Sequence, residues 1–180
     1  MRLLRADALQ VFDYTAVVPF ELLDTQQIAG STIILDLDGT IVADARIEIS
    51  ADIWRAVQGL AFRNAVYIFS NHSNGVRNRE IARRLGVEYL STRHRKPSKK
   101  IIQAIPIRDK ARPMIVVGDK ITIDGLFARR IGAQFIKVDR VVAASDRRSV
   151  KVAYLVDDMV SILATLFGKV LQPPMRRRQC

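Results

Sequence analysis

At 180 residues and a net charge of +11, from 29 Lys and Arg against 18 Asp and Glu, the chain has the length of one domain. Its charge calls for an anionic partner: phosphorylated metabolites, an anionic lipid surface or nucleic acid. Apolar residues make up 49% of it, which excludes a disordered chain, and the lone Cys180 with only His72 and His94 excludes both a disulfide framework and a Cys/His zinc site.

Residues 1–30 carry Val11, Phe12, Val17, Val18, Pro19 and Phe20 but no apolar core long enough for secretion, and Asp7 and Asp13 run against a mitochondrial transit peptide. They read as mature cytoplasmic protein, either packed on the domain or lying as a short amphipathic helix on the inner face of a membrane. Ile33, Ile34 and Leu35 follow without polar alternation and end in Asp36-Leu37-Asp38-Gly39-Thr40. That pattern fits a strand covered on both faces, as in a doubly wound parallel α/β/α sheet. Asp and Gly also form plain turns, yet at the carboxyl tip of such a strand, where strand order reverses, ligands collect. Ile41 to Ile49 alternate and suit a small β flap. Ser50 then caps a helix whose apolar face takes in Ile53, Trp54, Val57, Leu60 and Ala61, with Trp54 in the core.

The strand Ala65-Val66-Tyr67-Ile68-Phe69 ends in a second polar cluster, Ser70-Asn71-His72-Ser73-Asn74-Gly75, and a helix runs from there to Leu85 with Gly86 as its stop. After a short strand at Val87 to Leu90, residues 91–100 gather Arg93, Arg95, Lys96, Lys99 and Lys100 just ahead of a helix that Pro97 would start. A helix N-terminus already favours anions, so a lysine here can face phosphate. Met114 to Val117 make a further buried strand ending in Gly118-Asp119, with Asp124 opening a helix that closes at Gly132, and Phe135 to Val138 supply the last strand. Residues 139–150 read as loop. The run from Met159 to Gly168 is about half a membrane span, a C-terminal helix packed on the domain or lying in an interface. Arg176, Arg177 and Arg178 would add attraction to anionic lipid.

Alternating strands and helices at these spacings imply parallel strands with right-handed crossovers. If the strands ending at Asp36 and Asp119 flank the reversal, the carboxylates of Asp36, Asp38, Asp119 and Asp124 converge. Such a group repels itself unless a cation joins it, and oxygen-only ligands point to Mg²⁺. A carboxylate nucleophile suits phosphoryl transfer, a second can protonate the leaving oxygen and later activate water, and a lysine with a hydroxyl can hold the phosphoryl oxygens.

Asp36-Leu37-Asp38-Gly39-Thr40, then Ser70-Asn71, then Lys96-Pro97, then Gly118-Asp119 with Asp124 resembles the four ordered motifs of the haloacid dehalogenase superfamily of phosphatases. The resemblance implies Asp36 as nucleophile and Asp38 as general acid/base. It gives Ser70 and Lys96, with Thr40 and Asn71, to the phosphoryl group. Asp36, the Asp38 carbonyl and Asp119 would hold Mg²⁺, with Asp124 in support. Lys120, next to Asp119, would either bind phosphate or weaken the metal. Only 33 residues separate Asp36 from Ser70 and 25 separate Ser70 from Lys96, too few for a cap domain, so the site is expected to be open, or lidded by oligomerisation. The Lys-Pro pair, the Gly-Asp-x4-Asp spacing, the Val-Val-Pro segment and the hydrophobic C-terminal stretch resemble the subclass IIIA branch that contains phosphatidylglycerophosphate phosphatases. The implied organisation is an N-terminal segment (1–30), a catalytic core (31–140) and a C-terminal helix with a basic tail (141–180). Two alternatives share these features: a soluble phosphatase of small metabolites, and a basic nucleic-acid-binding module with weak catalysis.

Overall fold

Ile33, Ile34 and Leu35 lack polar alternation because both of their faces are covered. In the computed structural model, which describes residues 17, 19–23, 25, 27–144 and 148–170 without the side chains of 148 and 164–170, they lie in β1 (Thr32–Leu35), the central strand of a five-stranded sheet. β2 (Ala65–Ile68) and the short β3 (Glu88–Tyr89) extend the sheet on one side, and β4 (Met114–Gly118) and β5 (Gln134–Lys137) on the other. Every pairing is parallel. The order β3-β2-β1-β4-β5 reverses between β1 and β4, the pair expected to flank the crevice. In register, Leu35 faces Ile68 and Val117, so the tips of β1, β2 and β4 end together.

The side chains of β1 divide between two cores. Ile33 and Leu35 join Val57 and Leu60 of α1 (Ala51–Arg63) and Ile81 and Leu85 of α2 (Gly75–Leu85) on one face. Ile34 meets Tyr67, Ile101 and Phe127 on the other, where a 3₁₀ turn (Lys99–Ala104) and α4 (Leu126–Ile131) pack. Helices on both faces of a parallel sheet are the arrangement an unalternating strand predicts. Both of the anticipated capping features appear: the Ser50 hydroxyl accepts from Ile53 N–H at 3.2 Å, and Gly86 and Gly132 close α2 and α4 in left-handed conformations.

Four local expectations are corrected. Residues 41–49 are turns, not a flap; a single Asp38–Val42 bridge stands there, with Ile41 and Val42 drawn into the core. Trp54 is 44% exposed, its indole N–H donating to Arg84 O, and Ala56 takes its place on the buried face of α1. Pro97 does not start a helix, because Ser98 caps the turn that begins at Lys99. The C-terminal helix, α5 (Arg148–Val170), begins before the apolar run. It packs through Tyr154 and Asp157, whereas Met159, Ile162 and Leu163 are exposed. A short α3 (Ile107–Lys110) precedes β4. Residues 1–16 and 171–180, where a membrane-surface helix and the tri-arginine tail were expected, lie outside the described residues.

Asn64, which the sequence does not single out, ties α1 to β1. Its Oδ1 accepts from Ser31 N–H at 2.9 Å, and its amide donates to Ile28 O at 2.8 Å and Leu60 O at 2.9 Å. Because it is 8% exposed, Asn64→Ala should leave these main-chain groups short of partners and cost about 2–4 kcal/mol, measurable by denaturant unfolding.

Candidate active site

The pairing of β1 with β4 runs one residue past the strand, where Asp36 N–H donates to Val117 O at 2.9 Å. Asp36 therefore stands at the reversal point. Asp119 directly follows β4, and Asp124 lies within a π-helical turn (Ile121–Gly125). All three carboxylates are buried, and each can bring one oxygen within 4.8 Å of the others. The motif glycines make room for them. A Cβ on Gly39, whose φ is +89°, would stand 2.7 Å from Asp119 Oδ2, and one on Gly118 would stand 2.5 Å from Asp124 Cγ. Alanine at either position would collide with the acid it accommodates.

Asp38 departs from the expected four-carboxylate convergence. Its side chain turns away from the cluster, accepting from Ser70 Oγ at 2.8 Å, from Ala45 N–H at 3.1 Å and from both terminal nitrogens of Arg77, at 2.7 and 3.3 Å. Only its carbonyl faces the cluster, and Lys120 Nζ donates to it at 3.2 Å.

Cations hold the buried acids together. The Lys96 ammonium is paired with Asp36 Oδ1 and lies 2.7 Å from Asp124 Oδ1. Lys120 Nζ lies 2.9 and 3.0 Å from the two Asp119 oxygens, and Arg140 Nε donates to Asp119 Oδ2 at 2.8 Å. Burial raises the Asp119 and Asp124 carboxyls above the usual carboxylate range, against the pull of Lys120 and Lys96. Burial also works against the charge on Lys96, but Asp124 and Asp36 outweigh it and leave the ammonium harder to deprotonate than an exposed one. Lys120 is raised in the same sense by Asp119.

The remaining expected residues fall around this cluster. Thr40 Oγ1 donates towards Asp36 Oδ2 at 3.5 Å. Asn71 holds the main chain of Lys96 from both sides, accepting from its N–H at 2.7 Å and donating to its carbonyl at 3.0 Å. Its side chain is therefore engaged with Lys96. Sequence reasoning missed Arg77, Arg140, Tyr154 and Asp157. Asp157 accepts from the main-chain N–H groups of Ile121 and Thr122 at 3.3 and 2.9 Å, fixing the turn that carries Asp124. The Tyr154 ring lies 5.2 Å from Lys120 Nζ and 4.1 Å from Arg140 Cζ. The one visible signal is the acidic pair Asp157-Asp158 directly ahead of the apolar run that starts at Met159.

The three acids supply hard oxygen donors close enough together to hold a metal ion, and the lysine and hydroxyls beside them suit a phosphoryl group. One protein family, described as mitochondrial PGP phosphatase, matches residues 8–143 of the chain. No curated protein and no solved structure gives a significant match.

The Arg77–Asp38 pair is largely buried, at 6% and 15% side-chain exposure. Arg77→Met should strand the Asp38 carboxylate and destabilise the fold by about 3 kcal/mol. Asp38→Asn in the same chain should return part of that loss, a non-additivity that a double-mutant cycle of unfolding free energies would read.

Proposed function

The chain belongs to the mitochondrial PGP phosphatase family, and from that premise we propose that it removes the terminal phosphate of phosphatidylglycerophosphate at a membrane surface through an aspartyl phosphate on Asp36. The phosphatase class, a phosphoric monoester hydrolase, comes with the family. The observation that carries the mechanism is the buried Asp36 at a strand tip, paired with Lys96, with Asp38 two residues on.

In this reading an Asp36 carboxylate oxygen attacks phosphorus as the bond to the lipid glycerol oxygen breaks, and Asp38 gives that oxygen its proton. Asp38 then takes a proton from water, which attacks phosphorus, releases inorganic phosphate and restores Asp36. Lys96, Thr40, the Ser70 hydroxyl and the Asn71 main-chain N–H hold the phosphoryl oxygens. Arg77 keeps the Asp38 carboxyl aimed when the Ser70 hydroxyl, which donates to Asp38 in the free protein, turns its proton to the phosphoryl group. The Asp36 and Asp119 carboxylates and the Asp38 carbonyl, with Asp124 behind them, would hold Mg²⁺, which offsets the repulsion between an anionic nucleophile and an anionic phosphate.

We assign catalysis to residues 31–140 and surface attachment to residues 141–180. On α5, Val152, Leu155, Val156, Met159, Ile162 and Leu163 are exposed at helical spacing, opposite the packed Tyr154 and Asp157. An apolar stripe on a basic protein suits an anionic bilayer. Among the described residues no helix is long and apolar enough to cross a membrane. The family description names the mitochondrion; the cytoplasmic side of an inner membrane face, as the sequence suggests, would present the same kind of lipid surface.

Two measurements test this reading. With Mg²⁺, phosphate release from phosphatidylglycerophosphate in mixed micelles should far exceed release from soluble esters, and Asp36→Asn should lower it on the order of 10⁴-fold. Activity confined to soluble esters would leave a metabolite phosphatase, and salt-sensitive RNA binding without turnover a binding module. The second concerns Lys120, whose ammonium occupies the space between Asp119 and the Asp38 carbonyl. Lys120→Met should tighten Mg²⁺ binding by roughly ten- to a hundredfold in calorimetric titration. Weaker binding would show that Lys120 supports the metal.

A further inference from the structure

A polar cavity of about 280 Å³ opens beside the Asp38 carboxyl and shares a wall with it. Ser70 is that wall: its hydroxyl donates to Asp38 and accepts from His72 N–H at 2.9 Å. The first residue of α2, Gly75, borders the cavity, so the positive end of an 11-residue helix adjoins it. Arg79, one turn along the same helix with its guanidinium beside Gly75, and Arg93 and Arg95 line the cavity too, all three exposed.

These arginines differ from the others around the site. Arg77 and Arg140 are spent on Asp38 and Asp119, and Arg83 and Arg84 on Glu80. The guanidinium groups of Arg79, Arg93 and Arg95 have no hydrogen-bond or ion-pair partner among the described residues. Three unpaired cations around one polar cavity, with no carboxylate in its lining, make a site for an anion larger than the transferring phosphoryl group alone. A guanidinium fork matches phosphate oxygens in pairs.

We propose that this cavity binds a second phosphate of the same substrate molecule, the diester phosphate linked through a glycerol to the monoester at Asp36. The inference rests on the proposed substrate and names the residues that read it. Monoester and diester are held at once, on opposite sides of Ser70. A small monoester fills only the first position and forgoes the contacts of the second. Selectivity for a two-phosphate substrate then arises without a cap domain.

The test uses the full chain and two soluble substrates, glycerophosphoglycerophosphate and glycerol 3-phosphate, so that no bilayer is present. The parent should show the lower KM for the two-phosphate ester. Combined Arg79→Ala, Arg93→Ala and Arg95→Ala should raise that KM about tenfold more than the KM for glycerol 3-phosphate, and the triple Arg→Lys variant should recover part of the difference. A parent that prefers the two-phosphate ester and a triple variant that keeps the preference would overturn this site alone. A loss seen only with lipid vesicles would do the same, assigning the arginines to neighbouring lipids. A parent that hydrolyses glycerol 3-phosphate but neither the two-phosphate ester nor the lipid would overturn the proposed substrate and this site together.

Discussion

Three carboxylates buried within 4.8 Å of one another set the terms for everything around them. At an effective dielectric constant near 20, each such pair repels by roughly 3 kcal/mol, a large fraction of a domain's net stability. Lys96 answers two of the acids and Lys120 with Arg140 the third. The same positive charges are what an incoming phosphate requires. The donors that neutralise the acids are thus fixed in place before any ligand arrives, and the site is preorganised for that reason.

This balance depends on parts of the chain far from the sheet tips. Lys96 follows a strand-less stretch and is held by Asn71, which grips its main chain on both sides. The Asp124 turn is fixed by Asp157 from α5, and Tyr154 of the same helix lies against Lys120 and Arg140. The inner face of α5 therefore supports the acidic cluster while its outer face is apolar. A contact that displaced α5 would loosen the turn carrying Asp124, which links the surface of the molecule to its chemistry.

The sheet was legible in the sequence because burial on both faces leaves a one-dimensional signal, the apolar run at Ile33 to Leu35. The acids were legible because a strand tip fixes its own following residues. Asp36 and Asp119 meet where strand spacing alone would put them, and the turn after β4 brings Asp124 to join them. The side chain of Asp38 was misplaced because its direction is set by Arg77, a residue on a helix whose role no local pattern announces. Trp54 failed for a related reason: helical spacing gives a face, and the depth of that face depends on which neighbours cover it. Alternation at 41–49 read as strand because turns with buried Ile41 and Val42 produce the same period. Arg140 carried no local signal and Asp157 only its place ahead of an apolar run; they matter through contacts with residues 21 and 35 positions away.

The short gaps between motifs have a consequence for recognition. Between Asp36 and Ser70 lie the turns of 37–50, α1 and β2, and between Ser70 and Lys96 lie α2 and β3. The helices and strands serve the sheet and the turns of 37–50 border Asp38, so neither gap holds a cap domain. A site built this way cannot select its substrate by enclosure, and its discrimination has to come from the walls. The wall beside Ser70 carries free guanidinium groups, and the outer face of α5 carries an apolar stripe. Those are the two chemistries of a phospholipid, a charged head and an apolar body. An open site costs exclusion of water, which the burial of Asp36 and Lys96 partly restores at the reacting atoms. If the substrate is the proposed lipid, an open site gives access to a molecule whose tails remain in a bilayer, an approach that a lid over the strand tips would obstruct.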